Sequence, residues 1–120
     1  MTINRVLIVD DAATDRANLQ SIVTAAGYVA STAASGREGM ELALKTRPDA
    51  ILLDILMQDM DGYELCRTLR ANEATKSTPI IMVSSKNQKA DRVWAAEQGA
   101  TGYVPKPYKA QDIIDSLRRL

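Results

Sequence analysis

The sequence predicts an α/β domain in which a mostly parallel, five-stranded sheet is covered by helices on both faces. Three observations carry that prediction. Residues 6–9, 50–53 and 80–83 are nearly continuous apolar runs of strand length, the pattern of strands buried on both sides. Stretches with apolar residues at helical spacing lie between them. Helix start and stop residues stand at the ends of those stretches.

The first run, Val6-Leu7-Ile8-Val9, is followed by Asp10 and Asp11. Leu19, Ile22, Val23 and Ala26 then fall at i, i+3, i+4, i+7, which predicts a helix with one inward face, stopped by Gly27. Residues 29–33 make a weaker strand, because polar and small residues interrupt the apolar character. Ser35-Gly36-Arg37-Glu38 reads as a capping box that opens the second helix, which Pro48 closes. The run at 50–53 leads into Asp54, and Asp61 can cap a third helix whose third residue is Glu64. Ser84 follows the run at 80–83. A fourth helix is expected over residues 89–98, stopped by Gly99, with Val93 and Trp94 on its inner face and Trp94 in the core. Residues 102–104 form the second weak strand, shortly before Lys106, and Ala110, Ile113, Ile114 and Leu117 mark the inward face of a fifth helix.

Strands alternating with helices imply right-handed crossovers and a parallel sheet. The two weak strands read as edges, which gives the doubly wound, flavodoxin-like order 2-1-3-4-5 with five helices. In that order the winding reverses between strands 1 and 3, and ligands bind beyond the carboxyl ends of the strands at that crevice.

The residues predicted on that rim are Asp10, Asp11, Asp54, Ser84 and Lys106. Three carboxylates within ~5 Å repel one another by a few kcal/mol per pair at an effective dielectric near 20. A divalent cation and Lys106 would supply the counter-charge. All-oxygen ligation suits magnesium, whereas calcium would call for an Asp/Asn-rich loop closed by glutamate that the chain lacks. A carboxylate on magnesium is a competent nucleophile for in-line phosphoryl transfer, with Ser84 and Lys106 available to the remaining oxygens. Taken singly, an Asp after a strand is a cap or turn former, Ser84 a turn residue and Lys106 a solvated charge. Only a shared site accounts for their convergence.

Composition narrows the alternatives. A chain of 120 residues fits one domain, residues 1–120. Fifteen basic residues balance 15 acidic ones, so no global field draws the chain to nucleic acid or anionic lipid. No apolar run approaches the ~18 residues of a membrane span, and Met1-Thr2-Ile3-Asn4-Arg5 lacks a signal-peptide core, so no membrane insertion and a cytoplasmic location are expected. Cys66 is the single cysteine and histidine is absent. Internal disulfides, the usual zinc sites and His-based triads are thereby excluded, and Cys66 reads as a small hydrophobe on a helix.

The chain resembles the receiver domains of two-component response regulators over essentially its whole length. The matching segments are Val6-Leu7-Ile8-Val9-Asp10-Asp11, Leu52-Leu53-Asp54-Ile55-Leu56-Met57 with Asp61-Gly62, Ile81-Met82-Val83-Ser84-Ser85, and Gly99-Ala100 through Tyr103 to Lys106-Pro107. The resemblance implies that Asp54 accepts a phosphoryl group from a sensor histidine kinase. It implies that Asp11, Asp54 and the backbone carbonyl of Leu56 bind Mg2+, with Asp10 contributing through water. It makes Ser84 the switch hydroxyl, Tyr103 the switch aromatic and Lys106 the phosphate-binding lysine, with a cis peptide before Pro107. On its own, Tyr103 reads as an edge-strand aromatic packed on the sheet.

The implied output surface, for a protein target, is the fourth helix, fifth strand and fifth helix, on a monomer or weak phosphorylation-dependent dimer. Within the family, Lys86-Asn87-Gln88-Lys89-Ala90-Asp91-Arg92-Val93-Trp94 and Glu97-Gln98-Gly99-Ala100 resemble the stand-alone receivers of chemotaxis-like systems that control type IV pili and twitching motility. Gln58 stands where the family commonly has proline, implying altered loop dynamics, and Ala12 replaces a frequent small polar residue, implying loss of a water contact. The rival of an aspartate-nucleophile phosphatase is disfavoured by Leu56, which occupies the place of the usual second aspartate. A flavin site is disfavoured by the acidic turn at Asp10 and Asp11, and nucleotide hydrolysis by the lack of a Walker lysine motif. The chain is therefore expected to be no turnover enzyme, with slow self-dephosphorylation at most. A phosphate sink for a shared kinase, or an inactive receiver that only binds partners, remain alternatives at the level of sequence.

Overall fold

A computed structural model describes residues 2–86 and 88–120, so Met1 of the N-terminal segment and Asn87 of the fourth-helix segment lie outside the described residues. The strands are β1 (Arg5–Val9), β2 (Val29–Ala33), β3 (Ala50–Leu53), β4 (Ile80–Ser84) and β5 (Gly102–Pro105). They form one parallel sheet in the order β2-β1-β3-β4-β5. The helices are α1 (Ala13–Ala25), α2 (Gly36–Thr46), α3 (Gly62–Ala71), α4 (Lys89–Glu97) and α5 (Ala110–Arg118). The weak strands are the edges, as their interrupted apolar character predicts.

Alternation along the central strands divides the core in two. Leu7, Val9, Ile51, Leu53, Ile80 and Met82 pack with Ala43 of α2, Leu65, Cys66 and Leu69 of α3 and Ala95 of α4. Val6, Ile8, Ala50, Leu52, Ile81 and Val83 pack with Leu19 and Val23 of α1 and Ile113 and Leu117 of α5. Cys66 is fully buried, as a small hydrophobe should be. Among the described residues no helix is long and apolar enough to cross a membrane.

The punctuation residues act where the sequence puts them. Ser35 Oγ accepts from the Glu38 amide and Asp61 Oδ1 from the Glu64 amide. The Glu38 carboxylate reaches back to the Ala34 amide rather than that of Ser35, so the capping box is shifted by one residue. Gly27 and Gly99 end α1 and α4 with φ of 97° and 100°, which only glycine adopts without steric cost.

Two expectations need correction. Val93 and Trp94 are 49% and 48% exposed, while Ala95 is 1% exposed. Each residue turns about 100° around a helix, so consecutive positions cannot all point inward. α4 meets the sheet through the smallest of the three. Trp94 instead lies edge-on to Tyr63 of α3, ring centroids 6.2 Å apart at 77°. Ala110, expected inward, is exposed in the first turn of α5.

At the amino ends of the strands Arg70 holds three segments together. Its Nε donates to the Gly99 carbonyl at 3.0 Å, and one terminal nitrogen donates to the carbonyls of Thr78 at 2.6 Å and Lys76 at 3.2 Å. Charge-assisted bonds of this kind are worth more than neutral ones, and their loss leaves partly buried carbonyls unsatisfied. Arg70→Met is therefore expected to lower stability by about 2 kcal/mol, read as a lower urea midpoint at unchanged slope. A midpoint equal to that of the parent would refute the role.

Candidate functional site

The register of the central strands delivers the acidic residues to one place. Val9 pairs with Leu53, so Asp10 and Asp54 leave the sheet side by side. The Asp10 amide donates to the Ala33 carbonyl at 3.1 Å and the Asp54 amide to the Val9 carbonyl at 3.0 Å, which continues the ladder one residue past each strand. On the other side Ser84 pairs with Pro105, and the Lys106 amide donates to the Ser84 carbonyl at 2.8 Å. The Lys106–Pro107 peptide is cis.

One carboxylate oxygen each from Asp10, Asp11 and Asp54 lies within 4.8 Å of the others. Asp10 and Asp54 are buried, at 0% and 6% exposure, and Asp11 is half-buried. Asp10 is fixed by the Ala12 amide on Oδ1, at 2.9 Å, and by Lys106 Nζ on Oδ2, at 3.0 Å. Lys106 also donates to Asp15 Oδ2 at 3.0 Å but stands 3.8 Å from Asp54 Oδ2. Three converging carboxylates against one lysine leave the cluster negative. Its all-oxygen donor set fits a hard divalent ion such as magnesium.

Burial raises the Asp54 carboxyl to a pKa of about 6; Lys106 opposes the rise, the Asp10 charge adds to it, and the amides of Leu56 and Ile55 oppose it. Burial also works against the charge on Lys106, yet hydrogen bonds to Asp15 and Asp10 outweigh it and hold the lysine above its ordinary pKa. The Leu56 amide lies 3.4 Å from Asp54 Oδ1, while the Leu56 side chain is exposed.

Ser84 is fully buried at the end of β4, and its hydroxyl accepts from the Lys86 amide at 3.3 Å. The Tyr103 hydroxyl donates to the carbonyl of the same residue, Lys86. The Tyr103 ring is half-buried, packs against the core on the α3 side, and has the Arg92 guanidinium 5.4 Å from its centroid. Lys86 thus carries Ser84 on its N–H and Tyr103 on its C=O.

Sequence reasoning missed three partners. Asp15 binds Lys106, although an acidic residue in the first turn of a helix ordinarily serves the helix dipole. The Gln58 amide donates to Asp11 Oδ2 at 3.2 Å, a bond that proline at this position could not make. Asp59 accepts from the amides of Gly36 and Arg37, both at 3.0 Å, so the loop after Asp54 is tied to the start of α2. Those two N–H groups hold the exposed Asp59 carboxyl below its usual range.

Comparison with known proteins finds clear relatives. The response regulator receiver domain family matches residues 6–118. Protein PilH of Pseudomonas aeruginosa is 34% identical over 113 residues, covering 94% of this chain and 93% of that protein. Longer curated response regulators match as well, and the chain spans 49% of one and 50% of another. Among solved structures, the chemotaxis protein CheY4 of Vibrio cholerae superposes with a TM-score of 0.93 at 33% identity over 98% of both chains. The receiver domain of sensor histidine kinase PA1611 of Pseudomonas aeruginosa, solved with magnesium coordinated in its active site cleft, gives 0.90 at 28% identity over 98% of this chain and 97% of that one. With a family match over nearly all its residues and a relative of similar length at 34% identity, the chain belongs to the response regulator receiver domain family of two-component signalling.

Proposed function

We propose that residues 1–120 act as one receiver unit in which Asp54 is the phosphoacceptor. The observation that carries this reading is the convergence of Asp10, Asp11 and Asp54 within 4.8 Å, with Lys106 against the same cluster. An Asp54 carboxylate oxygen attacks the phosphorus of a phosphohistidine on a sensor kinase. The P–N bond breaks, the imidazole leaves, and an acyl phosphate remains on Asp54. Asp11, Asp54 and the Leu56 carbonyl would hold magnesium directly and Asp10 through water; when bound, the ion supplies counter-charge that neutralises the phosphoryl oxygens.

Lys106 and Ser84 serve the remaining phosphoryl oxygens. Ser84 can turn toward them only by giving up the Lys86 amide, and Lys86 is also held by Tyr103. A shift of Ser84 therefore reaches Lys86, the residue that also holds Tyr103 of β5 and precedes α4 in the chain, which supports α4, β5 and α5 as the output face for a protein target. A change from mostly off to mostly on needs ~5 kcal/mol of differential interaction, and two or three charge-assisted bonds supply much of that. The donor kinase uses ATP, so the working compartment is the cytosol. The similarity to Protein PilH and CheY4 favours a stand-alone signal of chemotaxis-like or pilus systems. Loss of the phosphoryl group is slow self-hydrolysis, since no second carboxylate follows two residues after Asp54.

The test is incubation with acetyl phosphate, in magnesium or in chelator, followed by intact-mass measurement and mapping of the adduct. A single labile phosphoryl adduct on Asp54 that requires magnesium is expected. An adduct on another residue, or none with acetyl phosphate and a panel of histidine kinases, would overturn the acceptor role.

A further inference from the structure

Lys106 is bonded to a carboxylate of the buried acidic cluster, whereas Arg16 reaches only the Asp10 backbone carbonyl, and the lysine is shared equally with a residue outside that cluster. Nζ lies 3.0 Å from Asp15 Oδ2 and 3.0 Å from Asp10 Oδ2, but 3.8 Å from Asp54 Oδ2, beyond hydrogen-bond reach. Asp15 sits in the first turn of α1. Three residues later on the same helix face, Asn18 Nδ2 donates to the Tyr108 hydroxyl at 3.0 Å. α1 therefore clasps the segment after β5 at two points, Lys106 and Tyr108. Asp15, Asn18, Ser85, Lys106, Pro107 and Tyr108 line a cleft of ≈ 330 Å³. The Asp15–Lys106 pair borders open space, with the Asp15 side chain 44% exposed and that of Lys106 15% exposed, so the pair can exchange partners without repacking the core.

We propose that Asp15 is a positioning residue that holds the Lys106 ammonium on the α1 side of the crevice, so that a phosphoryl group on Asp54 must compete with Asp15 for the lysine. The inference rests on Asp54 being the acceptor. An ammonium has three donors, and two are committed to Asp10 and Asp15, with Asp54 Oδ2 left 3.8 Å away. Movement toward a group on Asp54 stretches the Asp15 bond, which is the more exposed of the two and the easier to give up. Loss of the Asp15 charge then makes the lysine more available to the phosphoryl group.

The experiment compares Asp15→Asn and Asp15→Glu with the parent chain, alone and in a Lys106→Met background. In metal-free protein, the Lys106 Nζ resonance of the parent should show slow hydrogen exchange that Asp15→Asn speeds and Asp15→Glu largely restores. With magnesium present, calorimetric titration with beryllofluoride, a phosphoryl mimic, should give about fivefold tighter binding for Asp15→Asn, as expected for a partly exposed ion pair. In the Lys106→Met background the same substitution should change nothing. An equal gain without the lysine would show that Asp15 acts only as a nearby negative charge. Unchanged or weaker binding in Asp15→Asn, or unchanged Nζ exchange, would also overturn the proposal. Failure of the parent chain itself to bind beryllofluoride would instead sink the acceptor reading, and this inference with it.

Discussion

Asp54→Asn is expected to abolish the magnesium-dependent phosphoryl adduct and, at the same time, to make the metal-free protein more stable at neutral pH. The first effect follows from chemistry, because the amide is no nucleophile toward phosphorus and cannot form the acyl phosphate. The second follows from burial. The Asp54 carboxyl has an ordinary pKa of 3.8 and a folded-state value of about 6. Between those values the native state holds the extra proton, so this group's contribution is full below pH 3.8 and is lost as the pH rises through 6. Asparagine carries no such penalty. In chelator, the melting temperature of Asp54→Asn relative to the parent should rise across that window, reaching about 5 °C above it at pH 7.5, or about 1–2 kcal/mol once solvent screening is discounted. At pH 4 the two should melt together. A variant less stable than the parent at neutral pH would mean that the carboxylate is satisfied in the metal-free crevice.

The second large effect lies at Gly62, the first residue of α3. A Cβ there would stand 2.5 Å from the Asp54 carbonyl oxygen and 2.7 Å from the Ile55 Cα. Both obstacles are backbone, and the Gly62 amide also donates to the Ile55 carbonyl at 2.8 Å, so no side chain can swing aside to make room. Gly62→Ala must push α3 away from the end of β3, at a cost of about 3 kcal/mol, a loss of roughly 10 °C in melting temperature. Because the obstructing peptide belongs to Asp54 itself, the displacement reaches the acceptor. Phosphorylation by acetyl phosphate should slow by roughly tenfold or more in the fraction that folds. Gly102→Ala is the control, since its nearest neighbours are Ile81 side-chain atoms at 3.6 and 3.9 Å, and it should be neutral or slightly stabilising. Equal behaviour of the two variants would show that the close approach at Gly62 relaxes at no cost.

The strands of the central sheet were legible because each is an uninterrupted apolar run, and the residue after such a run in a parallel sheet must sit on the carboxyl rim. That single inference recovered Asp10, Asp11, Asp54 and Ser84, with Lys106 shortly past the weaker fifth strand. What it could not recover depends on contacts distant in sequence. The Gln58 amide meets Asp11 across 47 positions and Asp15 meets Lys106 across 91, and nothing local to either residue marks the meeting. Arg70 looks like an ordinary basic residue near a helix end, because carbonyls carry no sequence signature. Trp94 was misplaced for a different reason. Helical spacing names a stripe but not which member of a neighbouring trio touches the sheet, and close approach favours the small Ala95 over the larger ring.

That misplaced ring has a practical use. Trp94 is the only tryptophan of the chain, half in solvent and edge-on to Tyr63, on the helix that follows Lys86, the residue bonded to both Tyr103 and Ser84. The protein therefore carries an optical reporter on its own proposed output surface, free of background from any second indole. Changes in its emission wavelength, quenching by iodide and anisotropy would follow the position of α4 in real time, without a label and without a partner protein in the cuvette.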